Sequence, residues 1–456
     1  MAFRRSPALV SRMMRRRWIV AGAVGGIALG TAVGGFAVAA APGVAPRSLL
    51  HVLHAAPAFA VAGEALDLSA GTVCPRPSDG ACRVTGASAS VRSPSGGSWM
   101  RVPGVGLDGG YGFRVPGAQI SPAGLDYRLT FRTADGGVTE YPPGGVPLHV
   151  DSTAQLAATA APRSFSWNDV AASARRALFL PYGDGKGEVG VDGGGPDEDL
   201  LGPSSFAVGG DGSISVVDWA NDRVEVFRKG ALQRTFATPA HRTFDVAVAT
   251  SGNTYLQTLG TDGATYEVDA GGRLVGRYPA AFGVASRVTT TSTGPAVSVA
   301  PAQWISVRSV PGITRTPALQ AATATAAPVA ADGSSARFGI LSDGRVALSW
   351  RRGGAEGGTV LQLPDGTRAG TEYFAEPLAD GGAVLALGLW NEDHNGVGLF
   401  RFDSVGALNS FSLLPEPSTR ADARASTVRW AAGRVLEAID HANGMSIESY
   451  DLGGDR

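Results

Sequence analysis

The sequence predicts an all-β protein: a first β-domain of sandwich type and then a six-bladed β-propeller, both behind an apolar N-terminal segment. Three observations predict it. The 64 glycines and 28 prolines punctuate short apolar runs, a pattern of many brief strands and tight turns. The run Leu125–Arg132 alternates strictly, with Leu125, Tyr127, Leu129 and Phe131 on one side and Asp126, Arg128, Thr130 and Arg132 on the other. A turn glycine recurs through the C-terminal part, at Gly212, Gly252, Gly294, Gly344, Gly382 and Gly433, at intervals of 38 to 51 residues. A repeat of that length, each unit a small antiparallel sheet, is the mark of propeller blades. Hydrophobic residues make up 44% of the chain, enough to fill ordinary cores, and the net charge of −1 provides no basic field for nucleic acid.

Residues 1–45 read as a basic tail and a signal or anchor helix. Arg4, Arg5, Arg12, Arg15, Arg16 and Arg17 precede an uncharged stretch from Trp18 to Pro46. A basic flank stays on the cytoplasmic side, so the chain beyond residue 45 is expected outside. Ile19–Ala41 is long enough to span a bilayer as a retained anchor. Ala37-Val38-Ala39 equally fits a cleavage site, and Arg15–Val20 loosely resembles a twin-arginine export signal. Both readings predict an extracytoplasmic protein, secreted or membrane-anchored. Gly22, Gly26, Gly30 and Gly34 overlap as GxxxG motifs, a spacing that suits helix pairing but also the small residues of any export segment.

The first β-domain is expected over residues 52–150. Besides Leu125–Arg132, strand-like runs cover Ala58–Leu68, Arg83–Val91, Trp99–Val102, Gly112–Val115 and Val146–Val150. Six or seven short strands in this length resemble the architecture of an immunoglobulin-like sandwich. Cys74 and Cys82 bracket a loop holding two prolines and a glycine, and in an oxidising compartment a disulfide is expected between them. His51 and His54 could complete a zinc site with the two cysteines, but their spacing matches no common module; they read as solvated side chains on a stalk. Residues 151–176, rich in Ala, Ser and Thr, read as a linker ending in a short helix around Asn168–Ala177.

From residue 177 to 456 the propeller is expected. Behind the turn glycines a second element recurs in register: Asp218-Trp-Ala-Asn221-Asp-Arg-Val, Asn391-Glu-Asp-His-Asn395-Gly and Asp440-His-Ala-Asn443-Gly. Asn-Gly and Asn-Asp favour the left-handed conformations of tight hairpins, which places these turns between second and third strands. The stretches Gly183–Gly190 (GDGKGEVG) and Gly202–Phe227 (GPSSFAVGGDGSISVVDWANDRVEVF) resemble the NHL-repeat propellers: a glycine-rich lead-in, an apolar strand, DG, a second apolar strand, and D-x-x-N-x-R-V-x-V-F. The resemblance is good over blade one, partial over blade two, and implies a fold that serves many functions. Leu178–Pro181 is expected to close the ring against Ser446–Tyr450, since an open ring would leave bare strand edges.

The common catalytic signatures GxSxG, HExxH, P-loop and GxGxxG before a helix are absent. Six acidic residues, Asp184, Glu188, Asp192, Asp197, Glu198 and Asp199, crowd the lead-in loop, where calcium or plain solvation would account for them. Trp219, Trp350 and Trp390 end second strands in three blades and are the candidate binding residues. Indoles on one rim could grip an envelope glycan or a protein partner; the alternative is that they fill gaps between blades. His394 and His441, with Asp393 and Asp440 beside them, are the candidate ligands for zinc or another divalent metal. Propeller enzymes such as lactonases and amidating lyases hold a metal by His and carboxylates, normally from inner strands. These residues lie in outer turns. The expectation is a binding or scaffold protein of the cell envelope without a cofactor, the alternative a metal-dependent propeller hydrolase or lyase.

Overall fold

The computed structural model describes residues 50–54, 56–73, 80, 82–107, 110–142, 145–156, 158–162, 165–168, 170–171, 175–192, 202–241, 243–258, 264–279, 287–291, 294–300, 303–306, 329–330, 332–415 and 427–451. The N-terminal segment expected to direct export, and with it every expectation for residues 1–45, lies outside the described residues. Among the described residues no helix is long and apolar enough to cross a membrane. The chain is all-β, with two 3-10 turns and no α-helix among them.

Residues 51–152 form two facing sheets. One joins His51–His54, Leu66–Val73, Gly110–Val115 and Val105–Leu107; the other joins Phe59–Ala60, Leu148–Ser152, Leu125–Thr133, Val84–Arg92 and Met100–Pro103, with Val138–Tyr141 beside Leu125–Thr133. The alternation in Leu125–Thr133 is the reason the sheets can face each other. Leu125, Tyr127, Leu129 and Phe131 are fully buried against Leu68, Phe113 and Val115 of the opposite sheet. Each such side chain contributes about 1.5–3 kcal/mol of burial. Cys82 is buried and carries no free thiol; Cys74 lies outside the described residues.

The expected solvated histidines are corrected here. Residues 51–54 are a strand, paired with Ala70–Val73, and His54 points into the core. Its Nδ1 lies 2.6 Å from the Ser69 carbonyl and its Nε2 2.6 Å from the Tyr127 hydroxyl. Two polar partners make burial tolerable, and burial lowers its pKa to about 4 against the Ser69 hydrogen bond.

Six further sheets follow in chain order as a propeller-like ring. Blade one is Ser205–Val208, Ile214–Asp218, Arg223–Arg228 and Ala231–Ala237. Blade two is Thr243–Val248, Thr254–Thr258, Ala264–Val268 and Leu274–Pro279; blade three is Arg287–Thr291, Gly294–Ala300 and Gln303–Ser306. Blade four is Ser335–Ile340, Val346–Arg352 and Ala355–Leu361, and blade five Arg368–Pro377, Ala383–Trp390, Asn395–Phe402 and Leu408–Leu414. Blade six is Val428–Ala431, Arg434–His441 and Gly444–Tyr450. The first strand of each blade is the inner one. Apolar seams join neighbours: Val217 and Val224 meet Val246 and Leu256, Leu348 and Leu361 meet Leu385 and Leu387, and Leu399 and Leu414 meet Val428 and Val435. In blade five the residue with positive φ in the first turn is Gly381 rather than Gly382, and Gly382 lies so close to the Phe402 carbonyl that a Cβ there would clash with it.

The connector does structural service that composition did not suggest. Ala158–Ala160 pairs in parallel with Thr359–Leu361, giving blade four its outer strand. Phe165 and Trp167 then pack on Phe411 and His394 of blade five, and Val170 bridges Leu413. Arg175–Pro181 pairs with Gly444–Tyr450 and completes blade six. The segment is thus a strap over three consecutive blades. Of the helix expected around Asn168–Ala177 the described residues form none: residues 175–181 are a strand, because the bare edge of Gly444–Tyr450 offers it a full ladder.

The two-sheet body is no detached spacer. Ala58, Phe59, Val61 and Leu156 pack on Leu341, Ala347 and Val360, so it covers the flank of blade four turned away from blade five. Arg337 on the inner strand of blade four reaches the Asp151 carboxylate, and Phe59 lies under its guanidinium at 5.9 Å.

Candidate functional site

The inner strands converge on the axis, and their polar side chains meet there. Asp245 on blade two is fully buried and joins four blades. Its Oδ1 accepts from the Ser205 hydroxyl of blade one at 2.5 Å and from Arg429 Nη2 of blade six at 2.7 Å; its Oδ2 accepts from the Val288 amide of blade three at 2.8 Å. Arg429 also donates from Nε to the Phe206 carbonyl at 3.1 Å and from Nη2 to the Val246 carbonyl at 3.0 Å. Burial holds the Arg429 pKa below its ordinary value; Asp245 works against that, and the nearby Arg287 charge adds to it. Arg287 on blade three reaches across to the Tyr373 carbonyl of blade five and lies 5.6 Å over the Trp304 ring.

Beside this network is a cavity of about 190 Å³ on the axis, walled by the inner strands of blades three, four, five and six. Its polar lining includes Arg287, Arg429, Tyr373, Glu376 and Ser335, and its apolar lining Trp304, Phe338, Phe374 and Trp430. Phe374 and Trp430 sit ring to ring at 6.2 Å. Burial pushes the Glu376 carboxyl up to about 7, against Arg352 and with the help of Asp332. Burial, then the Glu437 charge, raises the Tyr373 hydroxyl, against Arg287 and Thr427. A carboxyl near 7 inside a cavity can give or take a proton at neutral pH.

The residues singled out from sequence are placed elsewhere. Trp350 is buried at 3% exposure, stacked on Phe402 at 6.1 Å, with its indole N–H donating to the Gly381 carbonyl: it belongs to the seam between blades four and five. Trp390 lies under Arg368 at 5.0 Å, and Trp219 meets Phe244 edge-on at 6.2 Å. His394 stacks on Trp167 at 5.2 Å, its neighbour Asp393 donates its amide to Asn391, and His441 pairs with the Ser446 hydroxyl at 2.7 Å. Asp440 accepts from the Tyr182 hydroxyl at 3.0 Å. Among the described residues no group of three or more His, Cys, Asp or Glu side chains is placed to hold a metal ion.

The D-x-x-N-x-R motif of blade one is a clamp. Asp218, fully buried, accepts from Gly190 N, Asn221 Nδ2 and Arg223 Nε, each at 2.8 Å. Arg223 donates on to the carbonyls of Asp184, Gly185 and Glu188, so the motif fixes the lead-in loop. Of the six loop acids, Asp197, Glu198 and Asp199 lie outside the described residues.

Sequence reading missed the axial residues because each is isolated along the chain. Arg287, Glu376 and Arg429 share only a place in the first strand of a blade. Reading each inner strand for charged residues amid apolar ones would have found them.

No protein-family model matches the chain. No curated protein matches it. Among solved structures it is similar to a catalytically inactive virginiamycin B lyase from Staphylococcus aureus with quinupristin, at 11% identity over 85% of this chain and 99% of that one, with a TM-score of 0.32. It is also similar to a gluconolactonase from Xanthomonas campestris, at 13% identity over 61% of this chain and 100% of that one, with a TM-score of 0.33. A streptogramin B lyase gives 9% identity over 80% and 93%, with a TM-score of 0.32. Likeness this distant transfers neither an activity nor a ligand.

Proposed function

We propose that this chain is an extracytoplasmic binding protein whose propeller takes up a small polar ligand in the axial cavity. The observation that carries the reading is the cavity itself, where four blades bring aromatic faces and hydrogen-bonding groups to one concave space. Concave sites with apolar walls and a few convergent polar groups are the usual form of ligand pockets. At about 190 Å³ it is smaller than the roughly 300–1,000 Å³ of typical pockets, which suits a ligand of monosaccharide or amino-acid size. Residues 1–45 would export the chain, as anchor or as cleaved signal. On this reading the two-sheet body is immunoglobulin-like, the ring NHL-like, and Cys74–Cys82 staples a loop.

Calorimetric titration of the full-length protein with monosaccharides, sugar acids and amino acids tests it. Binding by at least one class, lost in Trp430→Ala, is the expected result. Binding that survives in Trp430→Ala would put the ligand elsewhere, and no heat from any class would remove the reading.

A second reading is favoured by Glu376 alone. A carboxyl near 7 that lines the same cavity as Arg287 and Arg429 could act as acid and base on a bound substrate. It predicts turnover that Glu376→Gln abolishes while binding remains.

A further inference from the structure

The polar groups lining the axial cavity differ in whether the protein already uses them. Arg429 commits Nε and Nη2 to the Phe206 and Val246 carbonyls and to Asp245, which matches its charge at 2.7 Å. Arg287 is held by the Tyr373 carbonyl and stands over the Trp304 ring. Both guanidiniums therefore serve as wall. Glu376, Trp430 and Ser335 line the same space on other terms. Among the described residues the Glu376 carboxyl closes no hydrogen bond or ion pair, and neither the Trp430 indole N–H nor the Ser335 hydroxyl has a hydrogen-bond partner. The charges nearest Glu376, on Arg352 and Asp332, face each other at 3.5 Å, and Arg352 also donates to the Pro377 carbonyl. The uncommitted groups are thus an acceptor, a donor and a hydroxyl that is both.

Building on the binding reading, we propose that the axial cavity selects a neutral polyhydroxylated ring, one hydroxyl of which donates to the Glu376 carboxylate while another accepts from the Trp430 indole N–H. A hydroxyl offers one donor and two acceptor lone pairs, so a single chemistry serves all three uncommitted groups. An ammonium offers donors alone and leaves the indole N–H unmet; a carboxylate offers acceptors alone and sets a second carboxylate against Glu376. The hydroxyl–carboxylate bond is charge-assisted and requires Glu376 ionised. With its carboxyl near 7, Glu376 must give up a proton on binding below that pH, so affinity rises about tenfold from pH 6 to pH 8. Across that range the guanidiniums keep their charge, Asp332, held low by Ser334, stays ionised, and Tyr373, raised by burial, stays neutral. Glu437, near 8, lies behind Tyr373 and outside the lining.

Calorimetric titration of the full-length protein with glucose, galactose and mannose, with glucosamine, with glucuronate and with free amino acids provides the test. At pH 6 at least one neutral hexose should bind more tightly than glucosamine, glucuronate or any amino acid. Its affinity should rise about tenfold by pH 8, and Glu376→Gln should bind it more weakly and equally at both pH values. Tighter binding of a charged compound at pH 6 would overturn the proposal and leave the binding reading standing, whereas no heat from any compound would remove that reading itself. A pH dependence that survives in Glu376→Gln belongs to Glu437 and would overturn the role given to Glu376. So would binding at undiminished strength in that variant. If Glu376→Gln does not fold, the ranking of the compounds and the pH dependence of the unaltered protein still decide the matter: a hexose bound equally at pH 6 and pH 8 would overturn the proposal.

Discussion

Glu437 is fully buried on the second strand of blade six, paired in register with Glu448, and among the described residues neither of its carboxyl oxygens closes a hydrogen bond. Burial pushes its pKa up to about 8, the nearby Tyr450 hydroxyl works the other way, and Glu448 adds to the rise. The folded protein therefore holds a proton that the unfolded chain releases near 4.5. Between those values the folded state binds more protons, so stability falls as pH rises, by up to roughly 5 kcal/mol. Glu437→Gln should raise the urea midpoint clearly at pH 8.5 and hardly at all at pH 5. His54 has the opposite sign. Its folded pKa of about 4 lies below the unfolded 6.5, so its contribution is complete above 6.5 and is lost as pH falls through 4. The change is about 3 kcal/mol. His54→Gln should flatten the acid limb of the two-sheet body's unfolding, followed by the near-ultraviolet signal of its tyrosines. Neither group was legible in the sequence: the partner that defines His54 is Tyr127, 73 residues away.

At the scale of elements, the blade-one clamp shows how a repeat motif can be structural throughout. Asp218 satisfies a loop amide and two side chains from a site with no exposure. Removing one partner of a buried ion pair costs about 3–5 kcal/mol. Asp218→Ala should accordingly destabilise the ring by about that amount and raise amide exchange across Gly183–Gly190 before the rest of blade one. Unchanged exchange in that loop would mean Asp218 does not hold it. The strands and turns of the blades were largely legible, since alternation and turn chemistry are local properties. Asn391–His394 does connect second and third strands in blade five, as the Asn-Gly signal indicates. The strap was not legible, because Ala158–Ala160 becomes a strand only when the edge of Thr359–Leu361 is present.

For the whole molecule, the decisive contact is that between the two-sheet body and blade four. Phe59 is 4% exposed and packs with Ala58, Leu341, Ala347 and Val360. A Phe-to-Ala change at such a site costs about 3–5 kcal/mol. Phe59→Ala should therefore split a single calorimetric transition into two, one for each body, whereas one undivided transition at lower temperature would show that they unfold together without this contact. Periodicity within each half foretold both sets of strands, but a contact between halves has no periodic signature. The same holds for the axial cavity, assembled from single residues of four blades.

The strap also sets a timetable. The hydrogen bond from Ser449 to the Arg175 carbonyl spans 274 residues of chain. At about 5–20 residues per second of synthesis, the strand Arg175–Pro181 must wait roughly 15–50 s for its partner to be made. For that interval it is an apolar strand with both edges bare, and the same is true of Ala158–Ala160 for a shorter time. The ring can lock only when its last blade has emerged, so until then the early strands stay exposed to wrong pairing.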